Sequence, residues 1–228
     1  MKTTVVIPAA GSGTRMKADA NKILMPLAGK PAIVWCVERF QTHKNINDII
    51  IVGSETDLPR LKKIFEDKQI WNKIKACVSG GTQRQDSVRM GLEYAAMNPP
   101  DHVLVHDGAR PLCSHGVITR VIEALTENIA VVPMLPIHDT VRRVKDKGTE
   151  IVDRNDLFRS QTPQGFHFQQ LLAAHRKAHQ LGIQVTDDGQ LLEQTGVVVK
   201  SVVGDERNLK ITSPDDLLLA EAWVRFQE

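Results

Sequence analysis

The chain has 228 residues, 42% of them hydrophobic and 25% charged, with a formal net charge of +2 at pH 7. Such a composition supports one sizeable globular core and gives no strong global attraction to nucleic acid or to a membrane surface. No apolar stretch reaches the roughly 18–20 residues that cross a bilayer.

The start, "MKTTVVIPAAG", is too short before its proline and glycines for a secretory signal and reads as a first core strand. Residues 4–7 form that apolar run, which stops at Pro8. Strand-like runs return at 48–53 ("DIIIVG"), 75–79 ("KACVS"), 102–106 ("HVLVH") and 130–135 ("AVVPML"). They are rich in Val and Ile and bounded by Gly, Asp or Pro, as buried parallel strands are. Between them lie segments with apolar residues three and four apart, which predict helices over 31–42, 57–69, 85–97 and 115–127. After Leu135 the stretch "HDTVRRVKDKGTEIVDRNDL" is polar, alternates weakly and turns at "KDKG". It predicts a projecting β-hairpin arm at about 137–156. Helices follow over 168–181 and 187–195, a strand over 197–203, and a last helix over 214–226. That helix opens on "TSPDD", with Ser213 as cap, Pro214 in the first turn and two acids at the positive end of the dipole. Strand alternating with helix implies an α/β fold: a Rossmann-like, mainly parallel twisted sheet with helices on both faces, in one domain over 1–228. The cysteines Cys36, Cys77 and Cys113 are odd in number and lack metal-like spacing, so they read as reduced, mostly buried thiols of a cytoplasmic protein.

"PAAGSGTRM" (8–16) follows the first strand, where a parallel sheet collects ligands. Small residues let backbone N–H groups approach an anion closely. Arg15 adds forked donors suited to phosphate, and Lys22 follows in "NKI". Together they read as a triphosphate cradle, although a tight turn with solvated basic residues fits the loop alone equally well. No Lys-Ser or Lys-Thr pair completes a P-loop, and the third glycine of a dinucleotide fingerprint is missing.

With "K…LAGKP" downstream, the loop resembles the signature of nucleotidyltransferases that join a nucleoside triphosphate to a sugar or polyol phosphate. Four further blocks occur in order: "GGTQRQDSVRMGL" (80–92), "VHDGARP" (105–111), "PIHDTVRRV" (136–144) with "VDRNDLFRSQTPQGF" (152–166), and "TDDGQLLE…NLKIT" (186–212). The whole set, from about residue 3 to 222, is similar to the 2-C-methyl-D-erythritol 4-phosphate cytidylyltransferases, cytoplasmic enzymes of non-mevalonate isoprenoid synthesis with a nucleotide-diphospho-sugar transferase-like fold.

The resemblance implies CTP and a polyol phosphate as substrates, Mg2+ or another divalent cation as cofactor, and a homodimer formed through the arm; neither nucleic acid nor a membrane is an expected partner. It assigns Arg15, Lys22, Arg154 and Lys210 to catalysis, Arg154 and Lys210 orienting the attacking phosphate. It places the nucleotide against Pro8, Ala9, Ala10, Gly11, Ser12, Gly13, Gly80, Gly81, Ser87 and Gly108. It assigns the acceptor to Asp107, Arg110, Asp139, Thr140, Arg154, Thr162 and Lys210, with Asp139 and Thr140 serving the neighbouring subunit and Asp107 also helping to hold the metal. Thr162 and Asp187 are expected to support the site. His106 is read as packed against the sheet, and Arg84 either as a brace of its loop or as a ligand contact.

No Ser-His-Asp set or Cys-His pair is evident. None is needed where an already ionised phosphate attacks directly. The chain departs from the family in "NKILM" (Asn21, Ile23 and Leu24), where "PKQ" and an aromatic are usual. It departs again at Gly189 and Gln190, where Ala and Ser are usual. Both stretches lie near phosphate or acceptor positions and bear on the acceptor more than on the reaction type. Ribitol 5-phosphate or another sugar phosphate stands as the alternative acceptor. A nucleotide-binding regulatory module is the alternative from another class, but such a protein should have lost Arg15, Lys22 or Asp107.

Overall fold

The computed structural model describes residues 1–11 and 21–226. The Val- and Ile-rich runs become a central sheet. Its strands are β1 (Thr3–Ala9), β4 (Asp48–Gly53), β5 (Ile74–Ser79), β6 (His102–Val105), β7 (Ala130–Pro136), β10 (Phe158–Ser160), β11 (Gln164–His167) and β12 (Val199–Val203). Two hairpins stand apart from it: β2 (Pro26–Leu27) with β3 (Lys30–Pro31), and β8 (Val141–Lys145) with β9 (Gly148–Val152). The helices are α1 (Ala32–Gln41), α2 (Leu58–Ile64), α3 (Arg84–Ala95), α4 (His115–Ala124), α5 (Phe168–Leu181), α6 (Asp188–Glu193) and α7 (Pro214–Arg225).

β1 sits mid-sheet, parallel to β4 on one side and β6 on the other. The chain winds outward through β4 and β5, then returns to start the other half at β6. That reversal makes the carboxyl ends of β1 and β6 a topological switch point, where open α/β sheets bind ligands. β11 enters antiparallel between β6 and β7, β10 continues along the same edge of β7, and β12 pairs parallel on its far side. Alternation along the strands separates the two faces. Val5, Ile7, Ile49 and Ile51 pack under α1, α2 and α4. Val6, Ile50, Val52, Val103 and Val105 pack under α3, α5 and α6. A smaller cluster seats α7 against Leu27, Ala32, Leu112 and Ile211.

α5 occupies its predicted 168–181, and α7 starts with a capping box between Ser213 and Asp216. Other expectations need correction. β1 does not stop before Pro8 but runs through it to Ala9. Its pairing with β6 has ended at Val6, so the missing proline N–H costs no ladder bond there. α2 ends at Ile64 rather than 69, because Asp67 folds the chain back. Its side chain accepts from Gln69 N at 2.9 Å and its carbonyl from Trp71 N at 2.9 Å, and Trp71 then packs edge-on against Phe65. "FRSQTPQGF" carries two strands that no alternation announced.

The hairpin at 137–156 is present as β8–β9, pairing only with itself, and Ile137 N closes its foot on Leu157 O at 3.3 Å. The three cysteines are free, and burial pushes each thiol above its ordinary range. Among the described residues no helix is long and apolar enough to cross a membrane.

Candidate active site at the switch point

The loops after β1 and β6 are stitched together. His106 N donates to Val6 O at 3.0 Å and Gly108 N to Pro8 O at 3.1 Å, so both chains leave the sheet side by side. Over them opens a cavity of about 310 Å3 floored by Pro8, Ala9, Ala10, Gly11, Gly108 and Ala109. Its far wall is the start of α3 with Gly81, Arg84 and Ser87, and its charged residues are Lys22, Arg84, Asp107 and Lys210. Gly80 does not line the cavity but makes its shape possible. A Cβ there would lie 2.6 Å from Ser87 Oγ and 2.9 Å from the Ala10 methyl. Lys22 opens a 3-10 turn, Lys22–Leu24, pinned by Ile23 and Leu24 in the core and by Asn21, whose amide donates to Ala9 O at 3.1 Å.

Asp107 is the centre of charge. Its Oδ1 accepts from Arg84 Nε at 2.8 Å, its Oδ2 meets Lys210 Nζ at 2.8 Å, and Arg110 Nε lies 3.9 Å away. Burial alone would raise this carboxyl, but Arg84, Lys210 and Arg110 hold it well below the usual carboxylate range. Lys210 is brought there by the irregular segment after β12, pinned where Ile211 N donates to Ala109 O at 2.9 Å. Arg110 Nη1 donates to Asn208 O at 2.7 Å, and Asn208 Nδ2 to Thr162 O at 2.7 Å. Thr162 lies beneath Asp107 and does not line the cavity. Its hydroxyl oxygen accepts from Asp107 N at 3.0 Å and lies 3.1 Å from His106 Nδ1, while His106 Nε2 donates to Arg110 O at 3.0 Å. Burial depresses His106 to about 4, and it packs edge-on against Phe40, in keeping with its reading as a packed residue.

Of the two readings of Arg84 the structure favours the brace. Its Nη1 donates to Asp188 Oδ2 at 2.8 Å, and Asp188 Oδ1 accepts from His175 Nε2 at 3.0 Å. Burial opposes ionisation of Asp188, but Arg84 and His175 prevail and hold it at about 2. Asp188, His175 and Asn208 were not singled out from sequence. Asp187 was, and it caps α6 by accepting from Gln190 N at 3.0 Å and binds Gln164 at 2.9 Å. A signal for His175 existed: a lone polar residue in the buried series Phe168, Leu171, Leu172, His175 of α5.

Ser12, Gly13 and Arg15 lie outside the described residues. Ser87 donates to Gln83 O at 3.1 Å, which leaves its oxygen able to accept. Asp139, Thr140 and Arg154 are exposed at the foot of the β8–β9 hairpin, none of them lines the cavity, and Arg154 donates to His138 O. A second cavity, also of about 310 Å3, shares Lys210 with the first and is lined by Arg110, Arg159, Gln161 and Glu206.

A mainly parallel sheet with a small-residue floor and converging cations at its switch point defines an α/β protein with a cavity suited to a polyanion. The family model described as IspD, 2-C-methyl-D-erythritol 4-phosphate cytidylyltransferase, matches residues 3–226. Proteins of that name from Prochlorococcus marinus and Bacillus cereus are 40% and 39% identical, the first covering 98% of both chains and the second 99%. The crystal structure of 4-diphosphocytidyl-2C-methyl-D-erythritol synthase from Anaerococcus prevotii superposes with a TM-score of 0.85 at 31% identity, covering 98% of this chain and 96% of that one. That of the Thermus thermophilus cytidylyltransferase gives 0.79 at 32% identity, covering 96% and 98%. This chain belongs to the 2-C-methyl-D-erythritol 4-phosphate cytidylyltransferase family.

Proposed function

We propose that this enzyme transfers the cytidylyl group of CTP to 2-C-methyl-D-erythritol 4-phosphate for isoprenoid precursor synthesis. An oxygen of the acceptor phosphate forms a bond to the α-phosphorus as the bond to the β-phosphate bridging oxygen breaks, giving 4-diphosphocytidyl-2-C-methyl-D-erythritol and pyrophosphate. The observation that carries the reading is the convergence of Lys22, Lys210 and Asp107 on one switch-point cavity in a chain of this family. A phosphate monoester is ionised at neutral pH and needs no general base. The residues have to bring two polyanions together and compensate the charge that gathers on the transferred and leaving groups. In this reading Arg15 and Lys22 face the triphosphate, and Ala9, Ala10, Gly81 and Ser87 face the base and sugar. Lys210 lies between donor and acceptor. Its place in the wall of both cavities supports an acceptor phosphate held in the second, beside Arg110.

Among the described residues Asp107 is the one carboxylate lining the first cavity, and no three His, Cys, Asp or Glu side chains cluster so as to hold a metal ion. One oxygen donor fits Mg2+, which completes its shell with phosphate oxygens and water rather than with a protein cage. Bound there by Asp107 and the nucleotide, the ion would add fixed positive charge beside the phosphates.

Asp139, Thr140 and Arg154 belong to the reading only if a second copy brings its arm over the cavity. The exposure of Val144 (80%) and Ile151 (66%) on the hairpin supports such a homodimer. The unit is the whole chain, a single domain with an arm, working in the cytoplasm.

The deciding assay mixes the protein with CTP, Mg2+ and 2-C-methyl-D-erythritol 4-phosphate and follows pyrophosphate. Stoichiometric release with formation of the cytidylylated polyol is expected. Release with ribitol 5-phosphate alone would change the acceptor, and failure to release pyrophosphate with any polyol or sugar phosphate would leave a nucleotide-binding module.

A further inference from the structure

Arg84 is the side chain that joins the cavity to the helix layer behind it. Its two 2.8 Å bonds reach Asp107 at the end of β6 and Asp188 at the start of α6, and Asp188 is tied in turn to His175 in the middle of α5. Four segments distant in sequence thus form one polar line from the cavity into the core. Its inner members are almost wholly enclosed: Asp188 and His175 are each 1% exposed. If the line served only to fasten α6 to α5, apolar side chains of similar size would do as well or better, since a buried charge pair seldom adds net stability.

The two cations bonded to Asp107 differ. Among the described residues Lys210 has Asp107 as its one ion-pair partner, and its side chain is 38% exposed. Arg84 is divided between two buried carboxylates, and moving it toward another anion would take a partner from both. A polyphosphate entering the cavity pulls on both cations, and only Lys210 can follow it at small cost.

We propose that Asp188 and His175 are positioning residues for the transfer: they hold Arg84 on Asp107, so that the carboxylate keeps its place while Lys210 moves to the phosphates. The inference rests on the cytidylyltransferase reading and assigns roles to two side chains that never touch substrate. His175 gives Asp188 its second hydrogen bond. Without it, Asp188 would draw Arg84 toward α6 and away from the cavity.

The test uses steady-state kinetics with CTP and 2-C-methyl-D-erythritol 4-phosphate on His175→Leu, His175→Gln and Asp188→Asn, each first shown to be folded by circular dichroism. We expect His175→Leu and Asp188→Asn to lose roughly tenfold or more in kcat, as sub-ångström misplacement of reacting groups does, with the KM for CTP held within about threefold. His175→Gln keeps an N–H that can donate to Asp188 and is expected to recover most of the lost kcat. A merely structural tie would not separate Gln from Leu in kcat while sparing the KM. Folded Leu and Gln variants with the same kcat would therefore overturn the proposal. Should His175→Leu not fold, Asp188→Asn decides alone, and wild-type kcat in that variant overturns it. An inert wild-type protein would instead remove the reading on which the proposal stands.

Discussion

The wall of the cavity and the β8–β9 arm both carry polar residues of the proposed site, and they are built in opposite ways. In the wall, Asp107 and Arg84 are each held by more than one charged partner, and Asp188 behind it bonds both Arg84 and His175, all on elements anchored in the core. The arm pairs only with itself, its ion pairs of Glu150 with Arg143 and Lys145 are exposed, and Asp139 and Thr140 face solvent. The wall is therefore organised before any ligand arrives, which is how electrostatic stabilisation becomes effective. A two-stranded ribbon is marginal by itself, so the arm acquires a defined position from whatever it packs against. In the proposed dimer one site would draw on both, one part rigid by burial and the other positioned by assembly.

The comparison can be broken most sharply at Asp107. Asp107→Asn keeps the shape but leaves Arg84, Lys210 and Arg110 without their shared anion. We expect kcat to fall roughly a hundredfold or more, and stability to urea by about 3 kcal/mol because buried charge is left unpaired. Unchanged unfolding with less than a tenfold loss in kcat would mean that the wall is not electrostatically organised. For the arm the expectation is the reverse: Arg154→Ala should lower turnover about tenfold or more with no change in Tm. If the arm serves the partner's cavity, mixing Arg154→Ala with a cavity variant such as Lys22→Ala and allowing subunits to exchange restores about a quarter of wild-type activity, because half the dimers then carry one intact site. No recovery on mixing would place the arm over its own cavity.

A smaller effect separates the two regions by pH. His106 is buried beneath the wall and titrates near 4 rather than at its ordinary 6.5. Between those values the unfolded chain binds a proton that the folded chain does not, so stability falls as pH drops through this window and the penalty is constant below it. The loss attributable to His106 is about 3 kcal/mol between pH 6.5 and 4, readable by urea unfolding and abolished in a folded His106→Asn. Activity lost over that range without loss of stability would assign the pH dependence to the substrates instead.

Much of this was legible in the sequence because the relevant signals are local. Uninterrupted Val and Ile runs marked the parallel strands, and 48–53 is occupied as read. Three-four spacing marked α5, and "TSPDD" the capped start of α7. Asp107 and Lys210 stood out within quoted motifs, and they meet at 2.8 Å. What escaped depends on contacts between distant positions. Arg84 finds Asp188 across 104 positions, and nothing in "TDDGQ" says which aspartate caps the helix and which reaches the cavity wall. β10 and β11 are short, and their pairing is dictated by the free edge of β7 and, for β11, by the gap between β6 and β7 rather than by any pattern of their own. That Lys210 lines two cavities depends on the fold around it and has no local signal.

The account stands on a claim about charge: basic side chains at this switch point stabilise the transferring and departing phosphates more than the bound nucleotide. Lys22→Ala tests it most directly, with kcat from pyrophosphate release set beside the Kd for CTP from calorimetry on the same protein. The account predicts a fall in kcat of roughly a hundredfold or more with Kd changed by less than about threefold. Equal losses in kcat/KM and CTP affinity, with kcat preserved at saturation, would show that Lys22 only anchors the nucleotide and would contradict it.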